Sequence, residues 1–87
     1  MHTDQKKKLL IDRLCRAEGQ VRALRTKLGR DEVTDCKAFM SQIKAARSAL
    51  KRASEQYVLH HIHRCQHLPS GERDKQIEEA LSILASD

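Results

Sequence analysis

Three side chains with sulfur or imidazole donors lie on one line of a predicted helix. At roughly 100° per residue, Cys36, His61 and Cys65 fall within about 20° of that line. His61 and Cys65 are four residues apart, so they project from the same side of the helix, as a chelating pair requires. A thiolate–imidazole–thiolate donor set suits Cu(I), and Zn(II) and Ni(II) also accept such ligands. The pattern predicts a metal site.

Cys36 and His61 share a face of this helix but not a level along it. The 25 residues between them correspond to about 37 Å at 1.5 Å per residue. One straight helix therefore cannot bring both side chains to one metal ion. Two copies packed antiparallel about a two-fold axis can, because Cys36 of one chain then meets His61 and Cys65 of the other. Such pairing predicts two equal intersubunit sites per dimer.

Apolar spacing predicts an all-α chain of three helices. The first helix follows a regular apolar stripe from Leu10 to Leu28, with Thr3 or Asp4 as its N-cap and Gly29 at its end. The second begins near Thr34 as its N-cap and runs towards Cys65 or beyond. A short third helix follows the break at Pro69-Ser70-Gly71, and Ser70 is expected to cap it. The apolar side chains of the second stripe, among them Phe39, Met40 and Tyr57, are expected in the core.

The short connection between the first two helices predicts an antiparallel hairpin. Its midpoint near residue 31 or 32 puts Arg13 level with Leu50, and His2 level with His61. His2 is therefore a candidate fourth ligand, although a terminal histidine that touches nothing is an equally good interpretation.

The other histidines and the remaining cysteine are not predicted to be ligands. Cys15 is expected to be a small core or surface residue. Three histidines point more than 90° away from the Cys36 line and are expected to be solvated: His60, His63 and His67.

Length and composition indicate one small cytoplasmic domain over residues 1–87 that needs a partner. A lone hairpin of this size buries little area, so two chains are expected to close into a four-helix bundle. No apolar run approaches 18 residues, which predicts no membrane contact. Three cysteines in a reducing compartment indicate metal or thiol chemistry rather than disulfides.

The distribution of charge predicts a nucleic-acid partner. Residues 1–52 carry fourteen Lys and Arg against six Asp and Glu, whereas residues 53–87 carry three against six. A basic half beside an acidic half is typical of a protein that binds a polyanion. No helix-turn-helix and no base-stacking aromatic cluster is apparent, so a flat charged face on duplex DNA is expected. Its residues lie at one level of the hairpin: Arg13, Arg16, Arg47, Lys51 and Arg52.

Three segments together resemble the CsoR/RcnR family of bacterial copper-, nickel/cobalt- and formaldehyde-sensing repressors. They are RLCRAEGQVRAL, DCKAFMSQIKAARSALKRA and HHIHRC, and the similarity runs from about Asp12 to Cys65. A weaker match is present at Ile77-Glu78-Glu79. The resemblance implies an all-α dimer of dimers that binds double-stranded operator DNA and releases it when the inducer binds.

The resemblance also implies roles for individual residues. Cys36, His61 and Cys65 match the copper ligands of the family, and Glu79 matches an acidic position behind those ligands. Arg13 and Arg52 match basic positions associated with DNA binding. His2 matches the amino-terminal ligand position of the nickel and cobalt members.

Two departures from the family pattern leave the metal open. Copper sensors often have a tyrosine before the first cysteine, where this chain has Asp35, and His2 is a nickel-type feature. The leading hypothesis is a Cu(I)-responsive repressor, with a Ni(II)/Co(II) sensor that uses His2 as the alternative. A thiol or aldehyde sensor based on Cys36 follows. A cytosolic metal buffer or chaperone is the hypothesis from another functional class. It is less favoured, because such a protein would not need a one-sided basic surface. An enzyme is not expected, since no carboxylate pair or nucleophile–base motif is present.

Overall fold

The computed structural model describes the backbone of residues 2–86 and the side chains of residues 5–86. Its helices are α1 (His2–Gly29), α2 (Cys36–Arg64) and α3 (Ser70–Ala85), and a 3-10 turn over Cys65–His67 separates the last two. Within residues 2–86 there is no strand. The predicted all-α chain of three helices is confirmed.

Helices α1 and α2 form the antiparallel hairpin that the short connection predicts. Small side chains are buried where the two helices pack, namely Ala17 on α1 and Ala46 and Ala53 on α2. Small side chains at a contact let two helix axes approach closely. At the open end of the hairpin, the Lys6 ammonium group donates to Nε2 of His63 at 3.0 Å.

The contact between Lys6 and His63 shows that α1 and α2 are offset along their axes from the predicted alignment. A hairpin centred near residue 31 or 32 would place Lys6 opposite Tyr57, but Lys6 contacts a residue about one and a half turns further along α2. The long lysine side chain accounts for part of this difference. Lys6 therefore lies beside the last turn of α2, which also carries His61.

The predicted helix starts need three small corrections. Asp35 rather than Thr34 caps α2, because its carboxylate accepts the backbone N–H of Ala38 at 3.2 Å. Ser70 is the first residue of α3 and makes no capping hydrogen bond, and the residue before it is Pro69. Helix α1 already begins at His2, so the residues predicted as its caps lie inside it. Its end at Gly29 is confirmed.

Helix α3 folds back along α2, and the three helices form a flat, elongated layer. The chain measures 55 × 29 × 15 Å, and its radius of gyration is 17.1 Å. A compact domain of this length would have a radius of gyration of about 12 Å. The shortest dimension of 15 Å agrees with helices that lie side by side. In the described part of the chain, large apolar side chains on this layer, among them Leu50 and Tyr57, are left exposed.

The single chain buries only small side chains in its described part. They are Ala17, Ala46, Ala53, Val58 and Cys65. Met40 is 48% exposed and Tyr57 is 53% exposed, so their predicted place in the core is wrong for one chain alone, and Phe39 is half-buried. Large apolar side chains at this exposure mark a surface that a partner covers.

A tight turn after α1 sets the direction of the hairpin. The Asp31 amide donates to the Leu28 carbonyl at 3.1 Å, and the Glu32 amide donates to the Lys27 carbonyl at 3.0 Å. Asp31 has a positive φ of 53°. That left-handed conformation favours glycine, because a Cβ crowds the following carbonyl oxygen.

Replacing Asp31 by glycine is expected to stabilise the protein. The strain of a non-glycine residue in this region is of order 1 kcal/mol, so Asp31→Gly should raise the melting temperature measured by circular dichroism at fixed protein concentration. The matched control is Glu32→Gly, since Glu32 has no positive φ and should lose stability through backbone entropy. A lower melting temperature for Asp31→Gly would contradict the strained turn.

Candidate metal centre and nucleic-acid interface

His61 and Cys65 form a ready pair of donors at the C-terminal end of α2. The Cys65 sulfur lies 3.5 Å from His61 Nε2 and 4.0 Å from its Nδ1. One helical turn separates the two residues, and Cys65 begins the 3-10 turn that ends the helix. Cys65 is buried and His61 is half-buried, so the pair is partly shielded from solvent.

The spacing of this pair fits two ligands of one metal ion. A thiolate at about 2.3 Å and an imidazole nitrogen at about 2.0 Å from a shared ion are about 3.5–3.8 Å apart at tetrahedral or trigonal angles. The observed separation of 3.5 Å lies at this value. The distance between the two donor atoms therefore matches a shared soft metal ion. Because the sulfur is also 4.0 Å from Nδ1, it lies beside the ring, and the imidazole has to turn before a nitrogen lone pair points at that ion.

Cys36 is at the opposite end of the same helix. It is the first residue of α2, its side chain is exposed, and the Asp35 cap fixes the start of the helix beside it. The length of α2 separates it from Cys65 by about 43 Å. Among the side chains of residues 5–86, no three potential ligands of one chain are grouped closely enough to hold a metal ion.

A groove between α2 and α3 runs along the line that joins Cys36 to His61. It has a volume of about 610 Å³, and its α2 wall includes Leu50, Tyr57 and His61 while α3 contributes Ala80 and Ile83. A second, smaller groove between α1 and α2 also reaches Leu50. Leu50 thus joins the two grooves into one apolar surface, which we call the open face.

The open face of α2 repeats every three or four residues, with the spacing of a coiled-coil seam. The apolar members of this repeat belong to the second stripe of the sequence. At roughly 100° per residue the buried Ala46 and Ala53 lie about 80–100° around the helix from Cys36, so they adjoin the Tyr57 side of the seam. The candidate ligands Cys36 and His61 lie at the two ends of this seam. Its members are Cys36, Met40, Ile43, Arg47, Leu50, Ser54, Tyr57 and His61.

The remaining candidate ligands have different surroundings. The side chain of His2 lies outside the described residues, although its backbone begins α1 at the end of the hairpin that carries His61. His63 and His67 are exposed as expected, whereas His60 is half-buried and lies beside the Tyr57 ring. Cys15 is exposed.

Glu79 is the acidic position that the family resemblance places behind the ligands. Glu79 of α3 and His61 of α2 line the same groove. Glu79 is exposed in the single chain. The groove therefore brings the acidic position to the end of α2 that carries His61.

The predicted basic residues are divided between two sides of α2. Arg47 and Lys51 line the groove on the open face. Arg52 lies about 160° around the helix from Cys36 and is exposed on the other side. Arg13 and Arg16 on α1 are also exposed. A shared level along the hairpin is thus not the same as a shared face.

The comparison with protein families identifies the class of the chain. A family model described as "metal-sensitive transcriptional repressor" matches residues 6–86. No curated protein and no solved structure matches the chain. In the part of the chain that the structure describes, no helix is long and apolar enough to cross a bilayer.

The chain therefore belongs to the metal-sensitive transcriptional repressors, the CsoR/RcnR family. Members of this family regulate transcription and are not enzymes. Repression implies binding to DNA, and metal sensing implies a metal ligand.

The open face yields a prediction about assembly. Leu50, at its centre, is 47% exposed in the single chain, and covering it with a second copy would desolvate any charge placed there. Leu50→Asp should dissociate the assembly, because a buried carboxylate without a partner costs several kcal/mol. Sedimentation equilibrium measures the mass.

Leu59→Asp is the matched control for this experiment. Leu59 is 55% exposed on the same helix but lies about 140° around it from Cys36. This variant should keep the dimer. A wild-type mass for Leu50→Asp would show that another surface pairs the chains.

Proposed function

We propose that this protein is a Cu(I)-responsive repressor that binds operator DNA in its metal-free form and releases it when Cu(I) binds between subunits. The observation that carries the proposal is the His61–Cys65 pair at 3.5 Å on the same open face as Cys36. Three donors of this kind complete a trigonal Cu(I) set when Cys36 comes from a second copy.

The shape of the chain supports the intersubunit arrangement. A single layer 15 Å thick needs a second layer to bury its apolar side chains. An antiparallel pairing of two α2 helices about Leu50 supplies that layer. It also brings Cys36 of each chain to the level of His61 and Cys65 of the partner subunit.

The residues of this chain have separate tasks in the proposed site. Cys65 and His61 supply two adjacent donors at the C-terminal end of α2, and the Asp35 cap orients the N-terminal turn that carries Cys36. Bound Cu(I) would link the N-terminal end of α2 in one chain to the C-terminal end of α2 in the other. Glu79 lines the groove beside His61, where its carboxylate can accept a hydrogen bond from the imidazole N–H.

The proposed DNA surface lies on the side of the hairpin away from the line that joins Cys36, His61 and Cys65. Arg52 of α2 is exposed there, and Arg13 and Arg16 extend the basic surface along α1. Arg47 and Lys51 line the open face, so we assign the main phosphate contacts to the first three residues. Phosphate contacts position a protein on duplex DNA without reading its sequence.

Release requires that Cu(I) bind the free protein more tightly than the DNA-bound protein. The two surfaces share α2, so a shift between paired α2 helices changes the spacing of the arginines on both chains. This shared helix couples the metal site to the DNA surface.

Mixing two site variants tests the intersubunit site. A Cys36→Ala chain keeps His61 and Cys65, and a His61→Ala chain keeps Cys36, so their heterodimer contains one intact site. Each homodimer should bind Cu(I) weakly, and the exchanged mixture should recover tight binding at up to one site per heterodimer. Anaerobic titration against a chromophoric Cu(I) chelator measures this. An exchanged mixture without recovery would contradict the geometry.

Removing one arginine tests the DNA surface. Arg52→Ala should weaken operator binding and reduce the slope of log K against log salt by about 0.9 for each lost phosphate contact. Cu(I) affinity should stay unchanged. The control is Lys75→Ala, since Lys75 is an exposed cation on α3, in the acidic half. Equal DNA affinity for wild type, Arg13→Ala and Arg52→Ala would place the DNA elsewhere.

Replacing His2 separates copper from nickel and cobalt. Cys36, His61 and Cys65 complete a trigonal coordination of Cu(I). Ni(II) prefers four or more ligands, so a nickel site would need His2 as a further ligand. We expect His2→Ala to leave Cu(I) affinity and DNA release unchanged, while Cys65→Ala abolishes both. Loss of a nickel-induced DNA response in His2→Ala, with operator binding unaffected by Cu(I) in the wild type, would support the Ni(II)/Co(II) sensor instead.

A further inference from the structure

The ring of Tyr57 lies against the imidazole of His61. Their ring centroids are 6.2 Å apart and their planes are nearly parallel, at 14°. Tyr57 is one helical turn before His61, and Cys65 is one turn after it. The three side chains therefore form a column along the open face, with the imidazole between a ring and a thiol.

The hydrogen bonding of the His61 imidazole involves Cys65 in the described part of the chain. A metal-binding histidine usually donates its second ring N–H to a carboxylate, carbonyl or water, which fixes the ring orientation. Among the described residues, both ring nitrogens of His61 have Cys65 as their hydrogen-bonding neighbour. The Tyr57 ring, by contrast, is stacked beside the imidazole in an offset arrangement.

We propose that Tyr57 is a positioning residue that keeps the His61 imidazole beside the Cys65 sulfur. The inference rests on the proposed function, in which His61 is a metal ligand. Offset aromatic stacking limits rotation about the Cα–Cβ bond of His61, which lowers the entropy lost when the imidazole is fixed on a metal. The Tyr57 ring performs this task, and its hydroxyl group is not needed.

The expected effect is a change in Cu(I) affinity of about two- to tenfold, the range that aromatic pairs contribute. Tyr57→Phe keeps the ring and should bind Cu(I) like the wild type. Tyr57→Leu keeps an apolar side chain without a ring and should bind Cu(I) more weakly by this factor. Anaerobic competition against a chromophoric chelator measures both, and sedimentation shows whether each variant keeps the wild-type mass.

A measurement on the metal-free protein tests the position of the His61 imidazole without bound Cu(I). Wild type and Tyr57→Phe should show a nuclear Overhauser contact between the ring protons of residue 57 and those of His61. Because both residues belong to one chain, this contact is readable whatever the state of assembly. Its absence in the wild type overturns the inference. Wild-type affinity in Tyr57→Leu, or equal damage in Tyr57→Phe and Tyr57→Leu, also overturns it.

His61→Ala distinguishes this inference from the proposed function. If His61→Ala binds Cu(I) like the wild type, His61 is not a ligand and the proposed function fails. If His61→Ala weakens binding and Tyr57→Leu does not, the metal site stands and only the positioning role is lost.

Discussion

A continuous helix of 29 residues keeps its two ends about 43 Å apart, and α2 carries a thiol at each end. Because the helix is continuous, it does not bring Cys36 near Cys65 within one chain. The same helix also presents large apolar side chains, Leu50 and Tyr57 among them, that the described part of the chain leaves exposed. The proposed second copy of the chain accounts for both features, since it would supply a covering layer and the third ligand together.

In the proposed function, the two sides of α2 have two tasks. The open face carries Leu50 and Tyr57 between the candidate ligands, while Arg52 is exposed on the other side. The proposed metal site and the proposed DNA surface therefore share one helix. A change in how paired α2 helices meet would alter the spacing of the basic residues, since both surfaces belong to one rigid element.

The sequence predicted the three helices, the antiparallel hairpin and the proximity of His61 and Cys65, because apolar spacing and the i, i+4 relation are local. That the pair chelates a metal ion stays a prediction. It was less successful at helix starts. Thr34 and Asp35 can both cap a helix, and only the tertiary placement of the turn selects Asp35. The division of Arg47, Lys51 and Arg52 between two sides was missed because level along the hairpin was considered without angle around the helix. The Tyr57–His61 stacking depends on side-chain rotamers, which spacing alone does not fix.

Disulfide mapping between subunits tests the antiparallel pairing of α2 most directly. In a Cys15→Ser background, the metal-free protein is oxidised gently and its cross-linked peptides are identified by mass spectrometry. The account predicts an intermolecular disulfide between Cys36 of one chain and Cys65 of the partner subunit, which no single chain can form. A product dominated by Cys36–Cys36 or Cys65–Cys65 cross-links would contradict it, because identical ends of α2 would then meet.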